Sequence, residues 1–285
     1  MSAISIIAGL TFREAIRRRI MLAGLVLGIA FVIIYSVGIH FIFGQIAASS
    51  AENMPSQMAA NIMNAEATNG FLMMGLYAAT FLSVAMAALL GADTLAGEIN
   101  SGTIQTIATK PIRRADIVLG KWLGFAELLG LYVLLLCGGI VLSVFLQTGH
   151  TPQNLLVGLG LIYSESILIM TITLMFSSAF PALATGGIVF GLYGLAFIGG
   201  WIEEFGAALQ NDTAIRVGIV TSLINPSEAL WKRAVFEMQS PIMNMFWGSP
   251  FGSSSVPSPL MVVYAFIYIA VVLYCTVRIF QARDL

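Results

Sequence analysis

The chain has 285 residues, of which 58% are hydrophobic and only 9% charged, and its net charge is −1. Soluble domains carry about 25% charged residues, so this chain cannot cover a water-facing surface with polar groups, and most of its surface must meet lipid. The composition therefore excludes a soluble protein, and the lack of a basic block sets nucleic-acid binding aside.

Residues 3–19 precede the first long apolar stretch. Their apolar side chains fall near one helical face, at Ile4, Ile7, Leu10 and Phe12. This pattern predicts an N-terminal amphipathic helix on the inner leaflet of the membrane, and the alternative is a cytoplasmic extension of the first span. The apolar stretch that follows is too long for the core of a signal peptide, so we expect the first helix to be retained.

Long apolar stretches recur along the whole chain. A helix needs about 20 mostly apolar residues to cross the hydrocarbon core, and backbone groups in lipid must be bonded within the segment, so such stretches are helices. Six stretches have this length: 20–43, 71–92, 117–146, 154–179, 184–201 and 258–280. The sequence therefore predicts an all-α fold, with residues 1–285 forming one membrane domain of six transmembrane helices.

The lysines and arginines are distributed unevenly between the connecting segments. With the N-terminus in the cytoplasm, ten of the 13 fall on the cytoplasmic side: Arg13, Arg17, Arg18, Arg19, Lys110, Arg113, Arg114, Lys121, Arg278 and Arg283. The other side holds Arg216, Lys232 and Arg233. Because cytoplasmic segments are enriched in positive residues, we predict a multi-pass protein of the cell membrane with both termini in the cytoplasm.

Residues 202–257, between the fifth and sixth stretches, form the largest segment expected outside the membrane. A helix is predicted to open at Asn225-Pro226-Ser227-Glu228, where Ser227 can cap it and Glu228 suits its first turn. Whether this segment dips back into the membrane is left open by the sequence.

The loop between the second and third stretches is expected to continue a helix below the membrane, with a break near Asn100–Gly102. A short helix then carries Ile104, Ile107 and Ala108 on one side, and Pro111 ends it. Such an exposed apolar face suits insertion into a groove on a partner protein, and the alternative is an amphipathic connector resting on lipid.

The same loop carries a recognisable run: Glu98…Ser101-Gly102-Thr103…Lys110-Pro111-Ile112-Arg113-Arg114…Leu119-Gly120-Lys121. It resembles the loop of type-2 ATP-binding-cassette exporter permeases, in which an acid is followed by Gly-Thr, a proline–basic stretch and Gly-Lys. Within that class it most resembles the branch associated with multicopper-enzyme maturation, such as the permeases serving nitrous-oxide reductase. The Asn225-Pro226 helix start is a second, weaker match.

The resemblance implies a cytoplasmic coupling helix, at about 99–109, that docks on a separate ATPase subunit. The residues that it assigns to shaping and anchoring this loop are Glu98, Gly102, Thr103, Arg113 and Lys121. It further implies an exporter in which two copies of the chain, or this chain and a paralogous permease, meet at the midline.

The chain lacks a phosphate-binding loop of its own. Gly120-Lys121 is followed by Trp122 and has no upstream glycine at the spacing of GxxxxGK[ST]. ATP and Mg are therefore expected to bind to the partner subunit, with no cofactor in this chain and no enzymatic activity of its own.

Two acids fall within predicted spans, Glu127 in the third and Glu165 in the fourth. At 1.5 Å per residue each lies roughly 15 Å from the side where its helix enters, close to the midplane. Because ionised acids are costly there, they are expected to face the bundle interior or a wet cavity, and they are candidates for a translocation path. The alternative is that they are protonated, or hydrogen-bonded to Ser164, Ser166 or Tyr132.

Metal and hydrolytic sites are not indicated. His40 and His150 lie near the outer membrane edge without an HExxH pattern, and Cys137 and Cys275 lie in apolar runs without a CxxC partner. The methionines suit gap filling in apolar helices better than copper binding.

The function predicted from these residues and the resemblance is that of a transport permease driven by a separate ATPase. One alternative is a membrane-anchored assembly or scaffold protein that binds a partner through 202–257. Another is an intramembrane enzyme that uses Glu127, Glu165 or a histidine without ATP.

Overall fold

The computed structural model describes residues 2–53, 57–100, 113–239 and 256–282. Regular secondary structure within these ranges is helical. The helices are α1 Ala3–Arg17, α2 Arg19–Asn53, α3 Gln57–Ala92, α4 Thr94–Asn100, α5 Arg114–Thr148, α6 Leu155–Ser177, α7 Ala182–Ala208, α8 Asp212–Ile224, α9 Ser227–Met238 and α10 Pro259–Ala282.

Six segments of the described chain are long and apolar enough to cross a membrane. They are Arg19–Gly44, Asn64–Gly97, Arg114–Thr148, Leu155–Ser177, Ala182–Ala208 and Pro259–Ala282. The prediction of an all-helical chain with six candidate spans is confirmed. The second and fifth begin or end several residues beyond the predicted stretches, and the prediction that 1–285 is one domain stays a prediction.

Helices α3 and α6 form the centre of the bundle. Within their most apolar windows 61% of residues are buried, against 11% for α2 and 22% for α10. Large side chains with no exposed surface, among them Leu72, Leu76, Leu129 and Leu136, fill the space between α3 and α5. The peripheral helices therefore depend on this centre for their position.

Helix α1 is separate from α2. It ends at Arg17, and the extended backbone of Arg18 (φ −69°, ψ 136°) interrupts the helix before α2 begins. A continuous extension of the first span is therefore wrong. The buried face holds Ala8, Thr11 and Ala15, and Leu10, which the sequence pattern places on the face towards the inner leaflet, is 61% exposed.

Two glycines of α5 let α1 approach closely. A Cβ added at Gly124 would lie 2.6 Å from the carbonyl oxygen of Ala8, and one at Gly120 would lie 2.7 Å from Cβ of Ile7. Real Cβ atoms do not come so close to a backbone oxygen, so any larger residue at Gly124 must push α1 away.

Helices α7, α8 and α9 fold back on one another. Helix α8 runs antiparallel to α7, and a Cβ at Gly206 would meet Cβ of Ala214 at 2.7 Å. At the turn that follows, Asn225 Nδ2 donates to the carbonyl oxygen of Leu192, ten residues into α7. At 1.5 Å per residue this turn lies about 24 Å below the end of α7.

Helix α9 then returns towards the end of the bundle where α6 begins. Met238 packs against Gly158, and Asn154 Nδ2 donates to Glu237 Oε2 at 3.2 Å. We call α8 and α9 with the turn between them the α8–α9 hairpin, and residues 225–228 its tip.

The predicted start of α9 is correct in place but wrong in detail. Pro226 holds the capping position and Ser227 is already helical, so its hydroxyl makes no capping bond. Asn225 Oδ1 instead accepts from the backbone N–H of Ser227 at 3.3 Å. Glu228 lies in the first turn, as predicted.

Replacing Gly124 with alanine is expected to destabilise the protein by about 1–3 kcal/mol, because the added methyl group overlaps the backbone of α1. The matched control is Gly138→Ala on the same helix, where nothing lies within 4 Å of the added Cβ. That control should be neutral or stabilising by up to about 1 kcal/mol, since alanine favours a helix over glycine. Thermal unfolding in detergent compares the two, and equal midpoints would contradict the close α1–α5 contact.

Candidate functional site

The first candidate site is the junction where α3 passes into α4. Asp93 interrupts the helix between them, and Ser177, the last residue of α6, bridges the gap. Its Oγ accepts from the backbone N–H groups of Leu95 and Ala96, each at 3.2 Å, and donates to the carbonyl oxygen of Ala92 at 2.9 Å. One hydroxyl thus pairs backbone groups that a helix break leaves unsatisfied, and it fixes α4 to α6.

An apolar layer surrounds this junction. Its buried members come from α4, α5 and α10, and they are Leu95, Ile117, Val118 and Phe280. Ile7 of α1 packs against them, and Arg114 Nη1 donates to the carbonyl oxygen of Gln281 at 3.1 Å. Helix α4 is therefore anchored to α1, α5, α6 and α10.

The predicted coupling loop is only partly within the described residues. Glu98 lies on the backbone of α4, and Arg113 has extended backbone directly before α5. Lys121 is buried, at 5% exposure, beside the Gly120 contact with α1. Gly102, Thr103, Ile104, Ile107 and Pro111 lie outside the described residues, so the coupling helix at 99–109 stays a prediction. The helix break at Asp93 was not predicted.

Sequence reasoning did not identify Ser177. A serine at the end of an apolar span, shortly before Pro181, signals the end of a helix. Nothing local in the sequence shows that its hydroxyl reaches a helix more than 80 positions away in the chain.

The two acids of the spans lie at one level on neighbouring helices. Trp122 Nε1 donates to Thr171 Oγ1 at 2.8 Å, and Tyr163 Oη donates to the carbonyl oxygen of Ala126 at 3.0 Å. This antiparallel register of α5 and α6 places Glu127 opposite Glu165. Their environments differ, because Glu127 is exposed on the outside of the chain and Glu165 is 1% exposed.

Glu165 is not held by the hydroxyl groups expected from the sequence. Ser164, Ser166 and Tyr132 donate to the carbonyl oxygens of Gly160, Ile162 and Gly24, respectively. Within the described part of the chain, Oε2 of Glu165 is buried and has no hydrogen-bond partner. The groups within electrostatic range of it are Tyr77, Cys137, Tyr193 and Glu228.

A second candidate site lies beside the α8–α9 hairpin and was missed by sequence reasoning. Lys232 Nζ donates to Glu203 Oε2 and to the carbonyl oxygen of Gly200, both at 3.1 Å. The lysine and the glutamate are both buried. A cavity of about 260 Å³ opens next to this ion pair, between α7, α8, α9 and the start of α10.

Glu228 lies one helical turn before Lys232, and its side chain packs closely against Gly200 of α7. Burial raises the pKa of Glu228 to about 7, with Lys232 lowering it and Glu203 and Glu204 raising it further. The i, i+4 spacing of Glu228 and Lys232 was the available sequence signal. This spacing alone does not show that the two side chains are buried, because the sequence predicts that 202–257 lies outside the membrane.

Residues 5–285, nearly the whole chain, match the family model described as ABC-2 family transporter protein. The chain therefore belongs to the ABC-2 family of transporter proteins, and it is a multi-pass membrane protein. The resemblance of its loop to type-2 ATP-binding-cassette permeases is confirmed at the level of the family.

Two curated relatives are both called probable ABC transporter permease protein NosY. The protein of Pseudomonas aeruginosa is 31% identical over 108 residues, which cover 38% of this chain and 39% of the relative. The protein of Stutzerimonas stutzeri is 40% identical over 68 residues, which cover 24% and 25%. The chain thus spans well under half of the length of either relative, and the likeness to the nitrous-oxide-reductase branch is confirmed as a distant similarity to NosY.

Ser177→Ala is expected to release α4 from α6, because it leaves the buried N–H groups of Leu95 and Ala96 without an acceptor, at about 1–3 kcal/mol for each unsatisfied group. Hydrogen–deuterium exchange should show faster exchange over residues 94–97. The matched control is Ser164→Ala on the same helix, whose hydroxyl bonds only to its own helix at Gly160. Unchanged protection of α4 in Ser177→Ala would contradict the proposed anchoring.

Lys232→Met is expected to lose about 3–5 kcal/mol of stability, since it removes the ammonium group that pairs with the buried Glu203 carboxylate. The double variant Lys232→Met/Glu203→Gln should recover most of that loss. Chemical or thermal unfolding checks this, with Arg18→Met as control, because the Arg18–Glu14 pair is more exposed and contributes less than about 1 kcal/mol. A double variant no more stable than Lys232→Met would show that the lysine acts other than by pairing.

Proposed function

We propose that this chain is the transmembrane permease subunit of an ATP-binding-cassette exporter that is driven by a separate ATPase subunit. The observation that carries the proposal is the α3–α4 junction in a chain of the ABC-2 family. Helix α4 is anchored at one end of the bundle, and the loop that follows it in the sequence is proposed to dock on the ATPase. The substrate is not specified by any residue described above.

The end of the bundle that bears α4 is proposed to face the cytoplasm. Eight of the 11 lysines and arginines in the described ranges lie in segments at this end, and cytoplasmic segments are the ones enriched in such residues. Both termini are then cytoplasmic, and α1 lies at the level where α5 emerges from the membrane.

Movement of a docked ATPase would reach the spans through Ser177. A displacement of α4 pulls on the end of α6, because the two are joined by hydrogen bonds. It also presses on α5 and α10 through Leu95. Helix α6 carries Glu165 twelve residues from Ser177, about 18 Å along the axis, so a rigid shift of α6 changes the centre of the bundle.

Glu127 and Glu165 are proposed to belong to the translocation path. An acid exposed in mid-span costs free energy against hydrocarbon, so the face of α5 that carries Glu127 is better placed against water or a second permease. That second permease is either a copy of this chain or a paralogue. Glu165 lies inside the single chain, within reach of the α8–α9 hairpin.

The α8–α9 hairpin is proposed to dip into the membrane from the outer side. Its tip reaches more than halfway down α7, as the bond from Asn225 to Leu192 shows. Helix α8 exposes an apolar face to its surroundings, at Val217, Ile219, Val220, Leu223 and Ile224. Irregular backbone at that depth is tolerated because it is covered by protein.

Co-purification in detergent tests the proposal. Candidate ATP-binding-cassette ATPase subunits should co-purify with the wild-type chain. They should not co-purify with Glu98→Ala or with Gly102→Pro, because these changes alter the loop to which the ATPase is proposed to bind. Asp212→Ala, an exposed acid at the opposite end of the bundle, should retain the ATPase. If no ATPase binds, or if both loop variants keep it, the exporter is rejected in favour of a membrane-anchored scaffold.

A further inference from the structure

Two buried carboxyl groups lie near each other in the interior of the bundle, one on α6 and one on α9. The contacts of Asn154 with Glu237 and of Gly158 with Met238 set α9 antiparallel to α6 and bring Glu228 to the level of Glu165. Glu165 of α6 and Glu228 of α9 are 1% and 6% exposed and lie within electrostatic range of each other. The neighbouring cation, Lys232, is bonded to Glu203 and to the carbonyl oxygen of Gly200. Two ionised carboxylates in such a place would repel each other with little screening.

We propose that Glu165 and Glu228 form a proton-binding site at the tip of the α8–α9 hairpin, holding one exchangeable proton between α6 and α9. This goes beyond transport driven by an ATPase and does not depend on it. The site can be studied on the permease chain alone.

Two buried polar atoms near Glu165 and Glu228 lack hydrogen-bond partners among the described residues, which indicates that the site binds a further ligand. Oε2 of Glu165 has no hydrogen-bond partner in the described part of the chain, and neither does the hydroxyl of Ser227, which precedes Glu228. Buried polar atoms are normally paired, so two orphans beside a pair of acids indicate a site that something completes. A proton removes one negative charge and supplies one hydrogen-bond donor.

The other titratable and charged groups around the pair come from α3, α5, α7, α9 and α10. From α3, α5 and α7 these are Tyr77, Cys137 and Tyr193, whose types ordinarily ionise well above pH 7. From α9 and α7 they are Lys232, Glu203 and Glu204. On α10, Tyr264 and Tyr268 donate to the carbonyl oxygens of Leu223 and Ile224.

The shared proton controls how the hairpin packs. While the proton is bound, the tip of the α8–α9 hairpin packs against α6. When it leaves, the pair gains a negative charge that the apolar interior does not stabilise, and the first turn of α9 moves away from α6. The far end of α9 stays attached through Met238 and Gly158. The pKa of Glu228 is about 7 because of burial, so this change falls near neutral pH, with the packed state favoured at lower pH.

Two measurements on the full chain in lipid nanodiscs test the site across pH. Infrared difference spectra follow the carbonyl stretch of protonated carboxyl groups, and hydrogen–deuterium exchange, corrected for its intrinsic pH dependence, follows residues 225–231. In the wild type, one protonated carboxyl group per chain should disappear as the pH rises through about 7, and protection of 225–231 should fall with it. Glu165→Gln and Glu228→Gln should each abolish both changes.

Glu127→Gln is the matched control, because Glu127 lies at the same level on the exposed face of α5. It should leave both transitions in place. Two further variants give shifts that misfolding would not produce. Removal of the positive charge in Lys232→Met should move the midpoint to higher pH, and removal of the negative charge in Glu203→Gln should move it to lower pH.

Three outcomes would overturn the proton site. The first is a transition that survives both Glu165→Gln and Glu228→Gln. The second is protection restored at high pH by Na⁺ or K⁺ at constant ionic strength, which would make this a metal-cation site. The third is a midpoint that does not respond to Lys232→Met or Glu203→Gln.

Discussion

The structure depends on one requirement: backbone N–H and C=O groups inside an apolar bundle must find partners in the protein, because no water is there to supply them. Two breaks in the helices meet it with side chains. At Asp93 the hydroxyl of Ser177 pairs three backbone groups, and at Pro226 the side-chain amide of Asn225 pairs one backbone group of α7 and one of α9. Both solutions join helices distant in sequence, so satisfying the backbone also links one end of the bundle to its centre.

Buried charges in the bundle also need partners, and they are paired less completely than the backbone groups. Lys232 neutralises Glu203 and donates a hydrogen bond to the carbonyl oxygen of Gly200 in α7, so the buried charge of the lysine is paired. Glu165 and Glu228 share the interior without such a partner. Since a buried unpaired acid destabilises a fold, its presence in the packed centre indicates a role that offsets the cost. Ser177 and Glu165 lie on the same helix, α6, which connects the proposed ATPase end to the proposed proton site.

The sequence predicted the number of spans well and their internal detail poorly. Hydropathy averages over about 20 residues, so it located six helices but ended the fifth at residue 201, before Glu203 and Glu204, although α7 continues to Ala208. It could not show that Val217, Ile219 and Val220 belong to a helix that turns back along α7, because that depends on glycines packing across two elements. The loop motif gave the family through local residues, whereas Ser177 and the Glu165–Glu228 pair required contacts between distant parts of the chain.

The contact between α1 and α5 also bears on how the protein is made. Helix α1 leaves the ribosome before α5, and the glycines against which it packs, Gly120 and Gly124, are synthesised on the order of a hundred residues later. At roughly 5–20 residues per second, α1 waits on the order of ten seconds for its partner. During that interval its apolar side chains have only the membrane surface or a chaperone to cover them, so assembly of this bundle cannot proceed strictly from the N-terminus onwards.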